Sequence, residues 1–538
     1  MPQGFLSIVL HAHLPFVRHP EYPTFLEEDW LFEAITECYL PLISILHGLA
    51  EDQVPCHLTL SISPTLAEML NDTLLQTRYE RYLESRMELA DQEIERTRHD
   101  LALQPLAVMY RQLFGAADRV FEQYRGNLLS AFRQLQDEGL IEIITCPATH
   151  AFLPFVSNKE ARRAQLVIAR ETCEHHFGKS PRGLWLAECG YEPGLEPLIR
   201  ESGFAYLALD THGLLFGNPR PPAGIYAPVK TPEGLVAFGR DLESSRQVWS
   251  SHGGYPGDAD YREFYRDLGY DGHYESLRPY LHSDGVRRNL GIKYYRVTGP
   301  GDLGQRALYH RESALAKVEE HARHFVQSRQ EQVSSLWQTL GQPPIVVSPY
   351  DAELFGHWWF EGPQFLDQVI RKSVSSHSQF KLAALSDVLE EYSNPVCLQP
   401  AASSWGEQGY QQMWLNERTQ WLYRHQHQAE RCMVELASAF PEARGSLGRA
   451  LNQAARELLL AQSSDWPFLI SQQTAVPYAM RRFREHIHRF HQLREQISSR
   501  AIEEGRLQVL ESQDSVFPRL DYRVFCGRKE FPGEPVRS

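Results

Sequence analysis

Residues 5–13, FLSIVLHAH, form an uncharged apolar run, mostly of strand-favouring side chains, that stops on two histidines. A run of this length and composition fits a strand buried on both faces, and His-x-His sets both imidazoles on one side of it. The same construction recurs in HLTLSIS (57–63), IEIITC (141–146), GLWLAE (183–188), YLALD (206–210), LVAFGRD (235–241) and IVVSPYD (345–351). Between most of these lie stretches with helical spacing, such as EAITECYLPLISILHGLA (33–50) and ARRAQLVIARETCEHHFG (161–178). Buried strands alternating with helices make an α/β chain with a parallel sheet, and seven of them suit a barrel better than an open sheet. On such a barrel, function gathers at the C-terminal strand ends. The polar groups there are His11, His13, Ser63, His150, Glu188, Asp210, Asp241 and Asp351.

At 538 residues the chain exceeds a single hydrophobic core. The helical, charged stretch 64–138 reads as an insertion between two strands. From about residue 400 the strand runs cease and helical periodicity takes over, as in LGRALNQAARELLLAQSS and YAMRRFREHIHRFHQLREQIS. The division expected is therefore a barrel over 1–63 and 139–398, a helical insertion over 64–138 and an α-helical C-terminal domain over 399–538. Segments 211–234 and 243–295, rich in Gly, Pro and Tyr, read as long loops, which in compact domains serve as lids or binding loops.

A net charge of −14 argues against nucleic acid or an anionic membrane as partner. Ten Trp and 24 Tyr offer many flat apolar faces, the kind on which sugar rings stack. The eight Cys are scattered with no CxxC, the N-terminus lacks a basic leader, and no run approaches about 18 apolar residues. A reducing, cytoplasmic setting is expected.

Glu188 in WLAECGY and Asp351 in SPYDAELFG each close an apolar strand and precede turn-forming residues. Two carboxylates on a barrel rim can share one anomeric centre, one attacking carbon and the other protonating the departing oxygen. Capping of the following helices is the plainer alternative. His11 and His13, with His150, suit a metal as well as hydrogen bonds to a sugar, so a metal-dependent amidohydrolase or deacetylase stands as a rival. No compact ligand motif such as HExxH is present, and carboxylate-driven glycosyl chemistry requires neither metal nor organic cofactor. A non-catalytic glucan-binding protein is the third reading, resting on Trp358, Trp359, Trp405, Trp414, Trp421 and Trp466, any one of which could equally be core.

Five stretches taken in order, HAHLPFVRHPE (11–21), IEIITCPATHAFLP (141–154), GLWLAECGYEPGLE (183–196), SPYDAELFGHWWFEGP (348–363) and LLLAQSSDWPFLI (458–470), resemble the conserved regions of glycoside hydrolase family 57, in the pattern of its branching members. The resemblance implies an incomplete (β/α)7 barrel and a retaining 1,4-α-glucan branching activity, with 4-α-glucanotransferase and α-glucan hydrolase as the near alternatives. It makes Glu188 the nucleophile and Asp351 the general acid/base. His11, His13 and His150 fall on donor-subsite positions without a metal, and Trp30, Trp405, Trp414 and Asp465 on substrate-contacting ones. Tyr255 falls where branching members carry a loop tyrosine over the active site. Tyr295, in KYYR (293–296), stands where a tryptophan platform is usual. The partners implied are α-1,4-glucan donor and acceptor chains, with no cofactor.

Overall fold

The computed structural model describes residues 2–249, 253–299, 301–374, 378–392 and 394–527. Residues 250–252 of the long 243–275 segment and the last eleven of the C-terminal region lie outside the described residues. Seven parallel strands make the barrel: β1 (Gly4–Ala12), β2 (Leu58–Ile62), β3 (Ile141–Ile144), β4 (Gly183–Trp185), β5 (Tyr206–Leu209), β6 (Val236–Gly239) and β7 (Ile345–Asp351). Each coincides with one of the seven apolar runs. All seven are almost wholly buried, as strands covered by helices outside and by one another inside must be.

The ring is built from two sheets. One has the order β3-β2-β1-β7, with the short strand Phe380–Leu382 added beside β1; the other runs β4-β5-β6 and carries the short strands Val229–Lys230 and Val396–Cys397 beyond β6. They meet through single parallel bridges, Thr145 to Leu184 on one side and Arg240 to Val347 on the other. The ring has seven parallel barrel strands where a full (β/α)8 barrel has eight, and two of its seams are thin. Its interior is filled by Val9, Ile144, Trp185, Tyr206, Phe238 and Val347, whereas β2 contributes the buried Thr59 and Ser61.

Between β2 and β3 the chain forms four helices, Pro64–Leu70, Thr73–Arg96, Gln104–Gln123 and Leu128–Asp137. The long second one starts where the Asp72 carboxylate accepts from the Leu75 N–H, and it buries Leu75, Tyr79, Leu83, Arg86 and Ala90 at three- and four-residue intervals. The crossover helix Lys159–Phe177 is capped by Asn158 at its start and by Gly178, at φ 73°, at its end. Two departures from the sequence reading lie between β6 and β7. The stretch expected as loop begins as a helix, Leu242–Trp249. A thirty-residue helix, Arg311–Leu340, then precedes β7.

Beyond residue 420 there are five helices, Gln420–Ala439, Gly445–Ala461, Asp465–Gln472, Val476–Ser499 and Glu504–Gln513, and no strand among the described residues. They dock on the mouth of the barrel, where Ser464 N–H donates to the His150 carbonyl at 3.1 Å and Ser463 pairs with Ala151. Among the described residues no helix is long and apolar enough to cross a membrane. All eight cysteines are unpaired.

Candidate active site

Strand register assembles the first layer of the site. His11 sits level with Ser61 on β2 and with Asp351 on β7. Its Nδ1 is 3.0 Å from Ser61 Oγ and its Nε2 is 3.0 Å from His150 Nε2. Two residues on, on the same side of the chain, His13 Nδ1 meets Ser63 Oγ at 2.9 Å and His13 Nε2 meets both Asp465 oxygens at 3.1 Å. His150 Nδ1 is held by Ser464 Oγ at 2.9 Å. Barrel and C-terminal helices thus build one wall together. Burial, reinforced by the neighbouring imidazoles, lowers the His11 and His150 pKa values well below the usual histidine value, so both rings are neutral near pH 7. Burial opposes ionisation of Asp465, but His13 and Ser463 overcome it and hold the carboxyl below its ordinary range.

Glu188 follows β4 on a turn that no strand or helix would choose. It and Cys189 have φ of 60° and 50°, a left-handed conformation costly for residues bearing a Cβ. The turn is clamped from the C-terminal side, where Trp405 N–H donates to the Glu188 carbonyl at 3.0 Å and the Trp405 indole N–H to Glu188 Oε2 at 2.8 Å. His150 Nδ1 lies 3.9 Å from the other carboxylate oxygen. The sequence stretch WLAECGY is therefore neither a strand lip nor a helix cap: the Glu188 side chain bonds to no backbone N–H among the described residues.

Asp351 ends β7 and has a second carboxylate close behind it. Glu353 Oε1 accepts from the His13 backbone N–H at 3.1 Å and from the Tyr39 hydroxyl at 2.5 Å. Burial, then the Glu353 charge, pushes Asp351 up to about 7. Burial also pushes Glu188 up to about 7, with the Trp405 hydrogen bond working against it. Both carboxyls therefore lose their protons near neutrality, and the Asp351 charge adds to the rise of Glu188. Two carboxyls at a barrel mouth that do not both ionise readily can share one proton, as the acid and the nucleophile of glycosyl transfer must.

Comparison with known proteins agrees with this geometry. The family model for glycosyl hydrolase family 57 matches residues 7–399. The chain belongs to glycoside hydrolase family 57. A second model, 1,4-alpha-glucan branching enzyme, C-terminal, matches residues 425–525. The 1,4-alpha-glucan branching enzyme of Thermococcus kodakarensis is 32% identical over 96% of this chain and 77% of its own length. Among solved structures, the alpha-amylase AmyC of Thermotoga maritima superimposes with a TM-score of 0.92 at 42% identity, covering 98% of this chain and 99% of that one. The GH57-type branching enzyme of Pyrococcus horikoshii gives 0.88 at 34%, covering 99% and 98%.

Against this family 57 frame, several residues singled out in the sequence sit elsewhere than expected. Trp414, expected to touch substrate, is 1% exposed: its ring stacks on Phe152 at 4.7 Å, beneath Gly406. It backs the wall and presents no face. Tyr255, expected over the carboxylates, is packed down on the helix Arg311–Leu340, its hydroxyl 2.7 Å from His324 Nδ1 and its ring stacked on His321 at 4.6 Å. An apolar phenol ring with a histidine partner in reach is better buried than exposed, which explains the difference. Tyr295 carries the Arg266 guanidinium 3.3 Å over its ring, so one of its faces is taken. Trp30 is half-buried against Tyr478. Asp241 is structural, bonded to Arg329 and Gln332 and to the Ser244 N–H. The sequence reading missed Glu353, Tyr39 and Trp185, whose ring stacks 5.3 Å from His11. Two donor sets in this region, His11–Cys146–His150 and His13–His150–Asp465, have atoms close enough to share a metal ion.

Proposed function

We propose that this family 57 protein is a 1,4-α-glucan branching enzyme working by double displacement. The observation that carries the reading is the half-buried pair Glu188 and Asp351, the first holding the Trp405 indole N–H and the second pushed up by burial and by the Glu353 charge. The match of the C-terminal helices to the branching-enzyme C-terminal model supports branching in particular. Glu188 attacks C1 of the donor glucan while Asp351 gives its proton to the departing O4. The glycosyl-enzyme so formed has inverted configuration. Asp351, now a base, takes the proton of an acceptor 6-hydroxyl, whose oxygen displaces Glu188 and restores the α configuration in a new α-1,6 bond. The neutral imidazoles of His11 and His150 brace the wall behind the His13–Asp465 pair, whose carboxylate meets the donor sugar's hydroxyls, and the Trp405 N–H orients the nucleophile.

In this reading the working division is a barrel over 1–63 and 139–398, a helical insertion over 64–138 and a helical domain over 399–538 that closes the donor side. A cytoplasmic setting, where glucan donors accumulate, agrees with eight unpaired cysteines.

Incubation with amylose, followed by debranching and linkage analysis, tests the reading: new α-1,6 bonds are expected, and Glu188→Gln should lower their formation by at least about 10³-fold. Similarity to AmyC, an alpha-amylase, favours hydrolysis as the second reading. Reducing ends without α-1,6 bonds would establish that one. Activity lost in chelator and restored by a divalent metal would instead revive the metal-dependent reading of the histidine cluster.

A further inference from the structure

Just past Asp351 the chain turns against the helix that precedes β2, where Glu353 accepts from Tyr39 and His357 bonds to Glu37, and these two elements are the banks of a groove. One bank is the helix that begins at Glu28, continued by Ile35–Tyr39, where Trp30, Glu33 and Glu37 recur at three- and four-residue intervals and so share a face. The other bank is the turn after Glu353, with the segments around Phe264 and Lys293. The turn is seated on the helix by Gly356, at φ 117°: a Cβ there would lie 1.7 Å from the Glu37 carbonyl oxygen, so only glycine fits.

Four side chains in the groove are unlike a packed interface. Trp358 is 53% exposed, yet its ring is held nearly parallel to Phe264 at 4.5 Å. Lys293 is 2% exposed, and its ammonium has no hydrogen bond or ion pair among the described residues, only the Phe264 ring at 4.2 Å. Glu33 has no hydrogen bond either, and the charges acting on it are those of His357, Glu37, Lys293 and Asp29, which places them together. His357 is bonded to Glu37 at 2.7 Å, leaving its Nε2 free. A cation and a carboxylate that feel each other's charge without a direct hydrogen bond, beside a rigid exposed indole, form an arrangement that folding alone does not favour.

We infer that this groove is the binding arm for the leaving and accepting glucan chains, with a glucose ring stacked on Trp358 and its hydroxyls bonded to Lys293, Glu33 and the free edge of His357. Opposed charges flanking an apolar platform match a neutral polyol, whose hydroxyls both donate and accept. The assignment rests on the branching reading, because Asp351 serves the leaving O4 and the incoming 6-hydroxyl in turn, and both chains must occupy its side of the scissile bond. An acceptor held here is a sugar in the place where water would otherwise react.

Binding of maltoheptaose, a linear α-1,4-glucan, to the catalytically inert Glu188→Gln protein tests the inference. Adding Trp358→Ala or Lys293→Met should weaken binding about three- to tenfold, with Trp358→Phe recovering most of the loss. In the active background the same changes should move product from α-1,6 bonds to reducing ends. Trp358 is exposed, so its removal leaves the fold intact, and thermal melting verifies this. Equal affinity in all variants would overturn the groove assignment. Wild-type protein that forms no α-1,6 bonds would overturn the branching reading alone, with the binding result still deciding the groove.

Discussion

Glu353 is the residue whose effect is most easily isolated. It sits buried behind Asp351, pushed up to about 7 by its own burial against the bonds from Tyr39 and His13, and above that pH it is a negative charge beside the acid. The proposed mechanism requires Glu188 ionised and Asp351 protonated, so activity should fall on the acid side as Glu188 gains a proton and on the alkaline side as Asp351 loses one. Glu353→Gln removes the repulsion, lowers the Asp351 pKa and should bring the alkaline limb down by on the order of half a unit while leaving the acid limb in place. A pH profile of initial rates with an unmoved alkaline limb would reject Glu353 as the group that sets the acid. Glu188 and Asp351 were legible in the sequence because a carboxylate closing an uncharged strand is anomalous. Glu353, two positions further on, closes no apolar run and so carried no signal of its own. Trp185 and Tyr39 were illegible for the opposite reason: an apolar run does not reveal which of its members face the barrel axis.

At the scale of elements, strand existence was plain because both-face burial writes an unbroken apolar run, and all seven runs became strands. Helices were harder where burial is shared with charge. Arg311–Leu340 buries Arg329 in its apolar stripe, bonded to Asp241 and Glu243, so its periodicity is diluted. The C-terminal helices use the same device more heavily. Asp514 lies between Arg482 at 3.2 Å and Arg489 at 2.5 Å, with His486 and Glu457 beside it. Glu457, His486 and Asp514 have donor atoms close enough for a metal, but two guanidinium groups already satisfy Asp514. Asp514→Ala strands the fully buried Arg482 and the largely buried Arg489 without their counter-ion and should cost about 3–5 kcal/mol in denaturant unfolding. A loss under about 1 kcal/mol would mean the arginines find other partners. Tyr255 marks the limit of motif reading: the residue was located correctly in sequence, but which way a loop side chain packs depends on His321 and His324, some seventy residues away.

For the whole molecule, the two sheets of the barrel divide the chemistry. Asp351 ends β7 in one five-stranded sheet, while Glu188 follows β4 in the other, and among the described residues two single β-bridges join the edges of the two sheets. Heating should part these bridges before either sheet melts, because each carries far fewer hydrogen bonds than any strand pair within a sheet. Activity should therefore disappear several degrees below the main calorimetric transition, and recover on prompt cooling. Coincident loss of activity and heat capacity would show instead that the ring opens and unfolds as one unit.

Stereochemistry follows from the same stitching. A carboxyl separation of about 5–5.5 Å permits direct attack and retention, whereas about 6.5–9.5 Å admits a water molecule between them and inversion. The difference is the size of one solvent molecule, and no individual strand sets it. In the proposed mechanism that spacing spans the seam between the two sheets, so a substitution that loosens either flanking bridge, remote from any sugar, should alter the anomeric purity of the product before it unfolds the ring.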